Sequence, residues 1–285
     1  MKPAPFQYFQ PATLDEALTM LHRYQPAARI LAGGQSLVPL MNFRQVRPAY
    51  LIDINCLEDL MYIRETAGTI CIGAMVRQTE IEKSELIAQK CPILAEATRH
   101  IGHRAVRNRG TIGGSLAHAD PSAEYPAVLL AANGAVTARG LQDARRIGAE
   151  ELFVDTCTTA LRPDEILTEI RLPALSSNQH WSFLELSRGY STIATVGVAA
   201  LITLDENKRC TAVRIAVAGA GRTPLRCREA EDLLTGQLPT AALIRQAAAA
   251  SAAALRPSDE LHAPAAYKQE MAKLYIERAV TAAVG

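Results

Sequence analysis

Two glycine-rich segments, about eighty residues apart, constrain the fold of this chain most strongly. "LAGGQSL", residues 31–37, follows the apolar run "ARIL", and "GTIGGSLAH", residues 110–118, repeats the paired glycines beside hydroxyl side chains. Paired glycines let a backbone approach a ligand closely, and successive N–H groups can form a concave nest for an anion. Two such nests could hold two phosphates. Two unrelated tight turns would give the same pattern, and the spacing alone leaves both interpretations open.

Neither segment matches a standard nucleotide motif. The first lacks the G-x-G-x-x-G of dinucleotide-binding folds, and no G-K-[ST] follows it as in a P-loop. It is not a nucleophile elbow, because Val38 stands where that motif requires a glycine after Ser36.

The charge balance argues against a polyanionic partner. Lys and Arg number 30 and Asp and Glu number 29 in 285 residues, which leaves a net charge of +1. Four arginines between residues 99 and 109 have no interleaved aromatic residues, so they predict partner docking or helix capping rather than nucleic-acid binding. No apolar run is long enough to span a bilayer and no signal peptide is evident, so we expect a cytoplasmic protein without a membrane span.

Metal-binding patterns are weak in this chain. The six cysteines, at positions 56, 71, 91, 157, 210 and 227, stand singly and form no C-x-x-C pair, which argues against an iron–sulfur cluster or zinc here. His100 and His103 are spaced i, i+3 at a predicted helix end, but nothing in the sequence brings His118 or Asp120 to them. We therefore predict no metal site.

Hydrophobic periodicity predicts an α+β fold of three units. Thr13 and Glu16 form a capping box for a first helix, and "ARILAGG", "LVPLMNF" and "AYLIDI" then alternate strand, helix or turn, and strand. "TEIEKSELIAQKCPILAEATRHI" predicts one long helix, and "EILTEIRLP" predicts the last strand of a second α+β unit. The predicted units are residues 1–57, 58–176 and 177–285, with the polar linker "ALSSNQH" before the third.

The third unit is predicted to place a sheet before its helices. "WSFLELS", "ATVGVAALITLD" and "CTAVRIAVAGAG" read as three strands, with "DENK" as a hairpin turn. "TAALIRQAAAASAAAL" and "AAYKQEMAKLYIERAV" read as helices.

Four segments together closely resemble the FAD-binding medium subunits of molybdenum hydroxylases. They are "LAGGQSL", "VRNRGTIGGSLAHADPSAEYPA", "LRPDEILTEIRLP" and "LSRGYSTIATVGVAA". The likeness runs from "FQYFQPATLDEAL" to "ELHAPAAYKQEMAKLYIERAV", essentially the whole chain. It implies a vanillyl-alcohol-oxidase-type fold, in which two N-terminal α+β subdomains bind FAD and a C-terminal domain has a three-stranded antiparallel sheet and helices.

The resemblance also implies a set of residues that bind non-covalent FAD. Residues 32–36 would wrap the pyrophosphate, and residues 111–115 would complete the cradle. Glu124 would accept hydrogen bonds from ribityl hydroxyls, and Ile193 would lie near the isoalloxazine ring. The full implied set is Ala32, Gly33, Gly34, Gln35, Ser36, Leu37, Ile101, Val106, Thr111, Gly113, Gly114, Ser115, Ala117, Glu124, Ile166, Leu167 and Ile193.

The apolar members of this set have different implied roles. Ile101 and Val106 would line the flavin or adenine pocket, and Ile166 and Leu167 would pack on the adenine side. The role of Tyr190, in packing or in gating the flavin, stays open.

The chain departs from the family pattern at three places. Gln35 replaces a common histidine and Ser115 replaces a common asparagine, although both side chains can still form hydrogen bonds. A lysine that some relatives place near the flavin has no counterpart in Leu184–Leu186. The redox potential therefore cannot be carried over.

The function implied is that of an FAD-carrying electron-transfer subunit. A small iron–sulfur subunit with [2Fe-2S] clusters would supply electrons, a large molybdopterin subunit would oxidise the substrate, and the assembly would be a dimer of heterotrimers. No residue of this chain is then needed as a catalytic group toward the organic substrate. The alternative is a nucleotide-binding assembly or regulatory protein without redox turnover. A free-standing flavin oxidase is disfavoured, because no substrate base is evident.

Overall fold

The computed structural model describes residues 1–189, 192–261 and 263–285. Its strands form three main sheets, which follow one another along the chain. The predicted boundaries after residues 57 and 176 fall between strands of successive sheets. In the described residues, no helix combines the length and apolar character needed to cross a membrane.

The first unit is a small parallel sheet with strand order β1-β3-β2. The side chain of Thr13 accepts a hydrogen bond from the Glu16 N–H, as predicted, but the Glu16 carboxylate accepts from Ala12 rather than from Thr13 itself. Strand β1 was not predicted, since its three residues are too few for a periodic pattern. The elements are β1 (Gln7–Phe9), α1 (Leu14–Tyr24), β2 (Ala28–Leu31), α2 (Leu37–Asn42) and β3 (Tyr50–Asp53).

The second unit is built on an antiparallel sheet of order β4-β5-β10-β6-β7, with a small β8–β9 hairpin beside it. A short 3₁₀ helix, Glu58–Leu60, leads into it. Its elements are β4 (Ile63–Thr66), β5 (Thr69–Gly73), α3 (Gln78–Lys83), α4 (Glu85–Lys90), α5 (Pro92–His100), α6 (Arg104–Arg107), α7 (Ile112–His118), α8 (Glu124–Ala131), β6 (Ala135–Arg139), β7 (Ala144–Gly148), α9 (Ala149–Leu152), β8 (Phe153–Asp155), β9 (Thr158–Thr159) and β10 (Ile166–Pro173).

The prediction of one long helix over residues 79–101 was wrong, because the structure divides this segment into α3, α4 and α5. Ser84 ends α3 in an extended conformation and caps α4 by accepting a hydrogen bond from the Ile87 N–H at 3.3 Å. Pro92 then begins α5 at the first helical position, where its missing N–H costs nothing. Local capping residues thus override a periodicity that runs through all three helices.

The third unit is an antiparallel sheet of order β11-β12-β13-β14, covered on one face by helices. The three predicted strands form, and the short β14 adds a fourth that the sequence pattern did not predict. Helix α10 was also not predicted. The elements are β11 (Gln179–Ser187), β12 (Ala194–Leu204), β13 (Cys210–Ala218), β14 (Leu225–Arg226), α10 (Arg228–Leu234), α11 (Ala241–Ala254) and α12 (Ala265–Val284).

The three units pack on shared cores. Every residue of α8 is buried, because this helix lies between the second unit and strands β12 and β13 of the third. Met75 and Ile166, from the second unit, pack with Leu18 and Ile52 in the core of the first. The ends of β2 and β3 are thereby held close to the segment that contains the second glycine loop.

Candidate cofactor site

The first glycine loop leaves β2 and enters α2 with a row of free backbone donors. None of the N–H groups of residues 33–37 donates a hydrogen bond to another described residue. Gly34 has a φ of +74°, in the left-handed region that favours glycine, and Gln35 Nε2 donates to the Gly33 carbonyl at 3.2 Å. Consecutive free amides at the start of a helix are suited to an anion.

The second glycine loop differs from the first, because its amides are already used within the protein. The Gly113 N–H donates to the Ala74 carbonyl at 3.0 Å, and the Gly114 N–H donates to the side chain of Thr111 at 3.1 Å. A Cβ on Gly113 would lie 2.5 Å from the Ala74 Cβ. These glycines therefore allow α7 to pack tightly on the end of β5, while Ser115 lies half-buried farther along the helix.

The two loops touch each other. A Cβ on Gly33 would lie 2.4 Å from the carbonyl oxygen of Arg109 and 2.8 Å from the Gly110 Cα. A Cβ on Gly114 would lie 3.5 Å from the Ala32 Cβ. The structure thus brings together the two segments that the sequence presented as either a shared cradle or unrelated turns.

A hydrogen-bonded network that the sequence analysis missed supports this contact. Asn55 Nδ2 donates to the Ala32 carbonyl at 2.8 Å, and Arg77 donates to Asn55 Oδ1 at 2.7 Å and to the Arg109 carbonyl at 2.6 Å. Asp53, at the end of β3, accepts from the Asn55 N–H at 2.9 Å. Arg77 therefore connects the first loop with the second.

Tyr8 reaches the same network from β1. Its hydroxyl donates to Asp53 Oδ2 at 2.6 Å, and this hydrogen bond is the main cause that raises the pKa of Tyr8 to about 12. One signal could have indicated Asp53 and Asn55 from the sequence. Asp53 is the last residue of a parallel strand next to β2, Asn55 follows that strand, and ligands of parallel sheets bind at the carboxyl ends of strands.

Glu124 is the first residue of α8, and its side chain is deeply buried. The residue is 9% exposed, and its carboxylate forms no hydrogen bond with another described residue. Burial is the main cause that raises the pKa of Glu124 to about 7, and the charge of Asp120 adds to the rise. Burial, and after it the charge of Glu124, raise the pKa of Glu185 in β11 to about 8.

The predicted apolar residues lie in different parts of the fold and differ in exposure. Ile101 ends α5 and is buried, and Val106 of α6 is half-buried. Ile166 belongs to the core of the first unit, whereas its neighbour Leu167 belongs to the core of the second. Ile193, just before β12, is 74% exposed, which is unusual for a large apolar side chain.

Most of the remaining predicted positions are exposed to solvent. Gln35, Ser36 and Ala117 are exposed, and Leu37 is half-buried at the start of α2. Tyr190 lies outside the described residues. In the part of the chain that the structure describes, no three His, Cys, Asp or Glu side chains form a group that could hold a metal ion.

Comparison with known families accounts for both halves of the chain. The family model described as "FAD binding domain in molybdopterin dehydrogenase" matches residues 4–175, and the model described as "CO dehydrogenase flavoprotein C-terminal domain" matches residues 181–283. The chain therefore belongs to the family of FAD-binding flavoprotein subunits of molybdopterin dehydrogenases. The predicted family, the FAD cofactor and the role as an oxidoreductase subunit are confirmed.

Individual relatives match over nearly their full length. The chain is 42% identical to the 6-hydroxypseudooxynicotine dehydrogenase complex subunit alpha of Paenarthrobacter nicotinovorans, over 100% of this chain and 96% of that protein. It is 35% identical to the carbon monoxide dehydrogenase medium chain of Hydrogenophaga pseudoflava, over 99% and 98%. A solved structure of carbon monoxide dehydrogenase from Hydrogenophaga pseudoflava superposes with a TM-score of 0.97 at 36% identity, covering 99% of this chain and 98% of the other. That agreement confirms the predicted fold class.

The residues present fit FAD. The free amides of residues 33–37 provide donors for a pyrophosphate, and the positive φ of Gly34 gives the loop the curvature that such a nest requires. The close packing of Gly33 on the second loop leaves no side chain between the two segments. These are features of the chain itself, independent of the family match.

Proposed function

We propose that this chain accepts electrons from a partner iron–sulfur subunit and passes them to an external acceptor through non-covalently bound FAD, as part of a dimer of heterotrimers in the cytoplasm. The observation that carries the proposal is the row of free amides at residues 33–37, which stands in a chain related over its full length to flavoprotein subunits. The same relatedness favours this function over an assembly or regulatory protein without redox turnover.

The backbone of the first loop would hold the pyrophosphate. Each charge-assisted hydrogen bond from an amide contributes about 1.5–3 kcal/mol, so a few of them give tight binding without a lysine. Thr111 and Ser115 would support the cradle from α7. Because the amides of Gly113 and Gly114 already have acceptors, the second loop would contribute shape and side-chain hydroxyls more than backbone donors.

The other proposed residues would position the rest of the cofactor. Ile101 and Val106 would line the pocket, Ile166 and Leu167 would pack on the adenine side, and Ile193 would cover part of the ring. An exposed Ile193 is consistent with a partner surface or cofactor that covers it. FAD, when bound, supplies the redox chemistry, and the protein supplies its position and electrostatic surroundings.

The proposal assigns substrate oxidation to another chain. The cysteines of this chain are all free, and four of the six are buried, at positions 71, 91, 210 and 227. Burial raises the pKa of Cys91 and of Cys227 to about 12, so these thiols are suited to packing rather than to metal ligation. This supports an iron–sulfur cluster on a partner chain as the electron source.

Rapid-mixing absorbance on the assembled complex tests the proposal with Gly34→Val. A branched side chain conflicts with the φ of +74° and would place its Cβ 3.2 Å from Val38 Cγ2. We expect the variant complex to lose FAD and transfer to the external acceptor, while the clusters are still reduced by substrate. Gly68→Val is the matched control, because Gly68 has a φ of +73° in open space.

Two results would contradict the proposed function. One is substrate turnover by the wild-type chain without partner subunits. The other is loss of cluster reduction in an intact Gly34→Val complex, because the clusters should receive electrons before this chain does.

A further inference from the structure

The side chain of Gln78 is buried against the start of the second glycine loop. Gln78 begins α3 and is 4% exposed. Its backbone N–H donates to the Gly110 carbonyl at 2.9 Å, which ties α3 to the loop. Its buried Oε1, by contrast, has no hydrogen-bond partner among the described residues. A buried carbonyl oxygen without a donor destabilises a fold, so the presence of this side chain needs an explanation other than stability.

The amide group of Gln78 fills the space in which Gly110 has no side chain. A Cβ on Gly110 would lie 2.4 Å from Gln78 Oε1, 2.7 Å from its Cδ and 3.2 Å from its Nε2. The whole amide group therefore lies beside the Gly110 backbone. The φ of Gly110 is not in the left-handed region, so the lack of space, rather than backbone strain, requires glycine at this position.

Gly110 also contacts the first glycine loop. A Cβ on Gly33 would lie 2.8 Å from the Gly110 Cα and 2.4 Å from the neighbouring Arg109 carbonyl oxygen. Gly33 is the first of the residues 33–37, whose free amides are suited to the pyrophosphate. Direct contacts thus lead from Gln78 through Gly110 to the loop that would hold the cofactor.

The backbone on both sides of Gly110 is held in place. Arg77 donates to the Arg109 carbonyl at 2.6 Å, and the Ile112 N–H donates to the Val76 carbonyl at 3.2 Å. Because both neighbours are tied to the segment that carries Gln78, Gly110 can yield to a larger group only if the loop distorts. A distortion at Gly110 then reaches Gly33, which packs directly on it.

We propose that Gln78 is a positioning residue of the cofactor site, whose amide group sets the place of Gly110 and, through Gly110, that of the free amides of the first loop. An oxygen atom is smaller than a methyl group, so an amide can lie closer to a backbone than an apolar side chain of the same length. This inference rests on the proposed function, since it concerns the same FAD-binding loop.

A double-mutant cycle tests the contact between Gln78 and Gly110. Fluorescence titration of the deflavinated chain with FAD gives Kd for each variant. Gly110→Ala places a methyl group where the amide lies, so we expect Kd to rise about tenfold. Gln78→Ala leaves that space empty and the loop less firmly held, so Kd should rise about fivefold. In the double variant the new methyl group occupies the vacated space, so Kd should return to within about twofold of wild type.

The matched control is Gly148→Ala, because no atom lies within 4 Å of the added Cβ. Combined with Gln78→Ala, it should give the Kd of Gln78→Ala alone, without recovery.

Gln78→Met separates FAD binding from stability, and it keeps the test decisive if Gly110→Ala does not fold. The variant removes the oxygen that lacks a donor, so the melting temperature by circular dichroism should equal or exceed that of wild type. Its terminal methyl group would press on Gly110, so Kd should nevertheless rise about fivefold. A side chain with only a structural role would not change binding and stability in this opposite way.

The outcomes distinguish this inference from the function on which it rests. A double variant whose Kd rises by the product of the two single effects, about fiftyfold, overturns the role of Gln78 alone. Binding within about twofold of wild type by Gln78→Ala or by Gln78→Met does the same. A wild-type chain that binds no FAD overturns the proposed function, and this inference with it.

Discussion

Replacing Gly33 by alanine tests whether contact between the two glycine loops is required for FAD binding. The added Cβ would lie 2.4 Å from the Arg109 carbonyl oxygen, whereas ordinary van der Waals contact begins at 3.4 Å. The loops must therefore separate by about 1 Å, or the chain must distort. Both obstructing groups are backbone, so no flexible side chain can move aside.

The expected effect is larger on binding than on folding. Crowding of this kind costs about 1–3 kcal/mol of unfolding free energy. A hydrogen bond of normal length that is stretched by about 1 Å is lost, and the loss of two charge-assisted bonds weakens binding by about 3–6 kcal/mol. That corresponds to an increase in Kd of roughly two to four orders of magnitude.

Fluorescence titration of the deflavinated chain with FAD measures this effect, and thermal unfolding followed by circular dichroism measures the cost to stability. Gly148→Ala is the matched control, because Gly148 has a φ of −65° and no atom within 4 Å of the added Cβ. A Gly33→Ala chain that binds FAD within about threefold of wild type would show that the loop contact does not hold the cofactor.

Three further substitutions or conditions have expected outcomes. Arg77→Met removes the link to the Arg109 carbonyl, so we expect FAD Kd to rise about tenfold by fluorescence titration, with a smaller rise for Arg77→Lys. Arg226→Met removes both hydrogen bonds from a guanidinium to the buried Glu231 carboxylate and leaves only Arg228, 3.8 Å away, so the unfolding free energy should fall by about 3 kcal/mol in urea denaturation. Glu231→Gln combined with it should recover part of the loss. The FAD-free chain should melt at a lower temperature at about pH 8.5 than at about pH 6, because the folded-state pKa of Glu185, about 8, lies above its ordinary value of 4.5. Between these two pKa values the folded state binds more protons than the unfolded state, so the protein loses stability as the pH rises. An equal or higher melting temperature at about pH 8.5 would contradict this.

Most of the helices and strands could be predicted from patterns among residues that are close together in the sequence. The strand before "AGGQS" formed as β2, the "EILTEIRLP" strand formed as β10, and the alanine-rich segment formed as α11, with Thr240 as its cap. The long predicted helix failed at Ser84 and Pro92, where capping chemistry interrupts a continuous apolar stripe. Strands of two or three residues, such as β1 and β14, form because a neighbouring strand is available to pair, and no local pattern reports that.

The candidate site was also only partly predictable from the sequence. The glycine loops were visible in the sequence, because glycine pairs are rare and have a specific conformational use. The contact between Gly33 and Arg109, and the link from Arg77 to Asn55, join residues that are far apart in the chain, so only the fold brings them together. The sequence therefore indicated which segments could bind a nucleotide, but not how they are joined.

The unequal state of the two loops predicts different roles for them in FAD binding. Gly113 and Gly114 use their N–H groups inside the protein, so α7 is packed before any ligand arrives and can act as a rigid support. The amides of residues 33–37 have no such acceptor, and a loop with unpaired donors gains most from an anion. Since Gly33 packs directly on the support, the position of the free amides is set by the second loop. Substitutions in the second loop should therefore weaken FAD binding by displacing the first loop, even where they remove no donor.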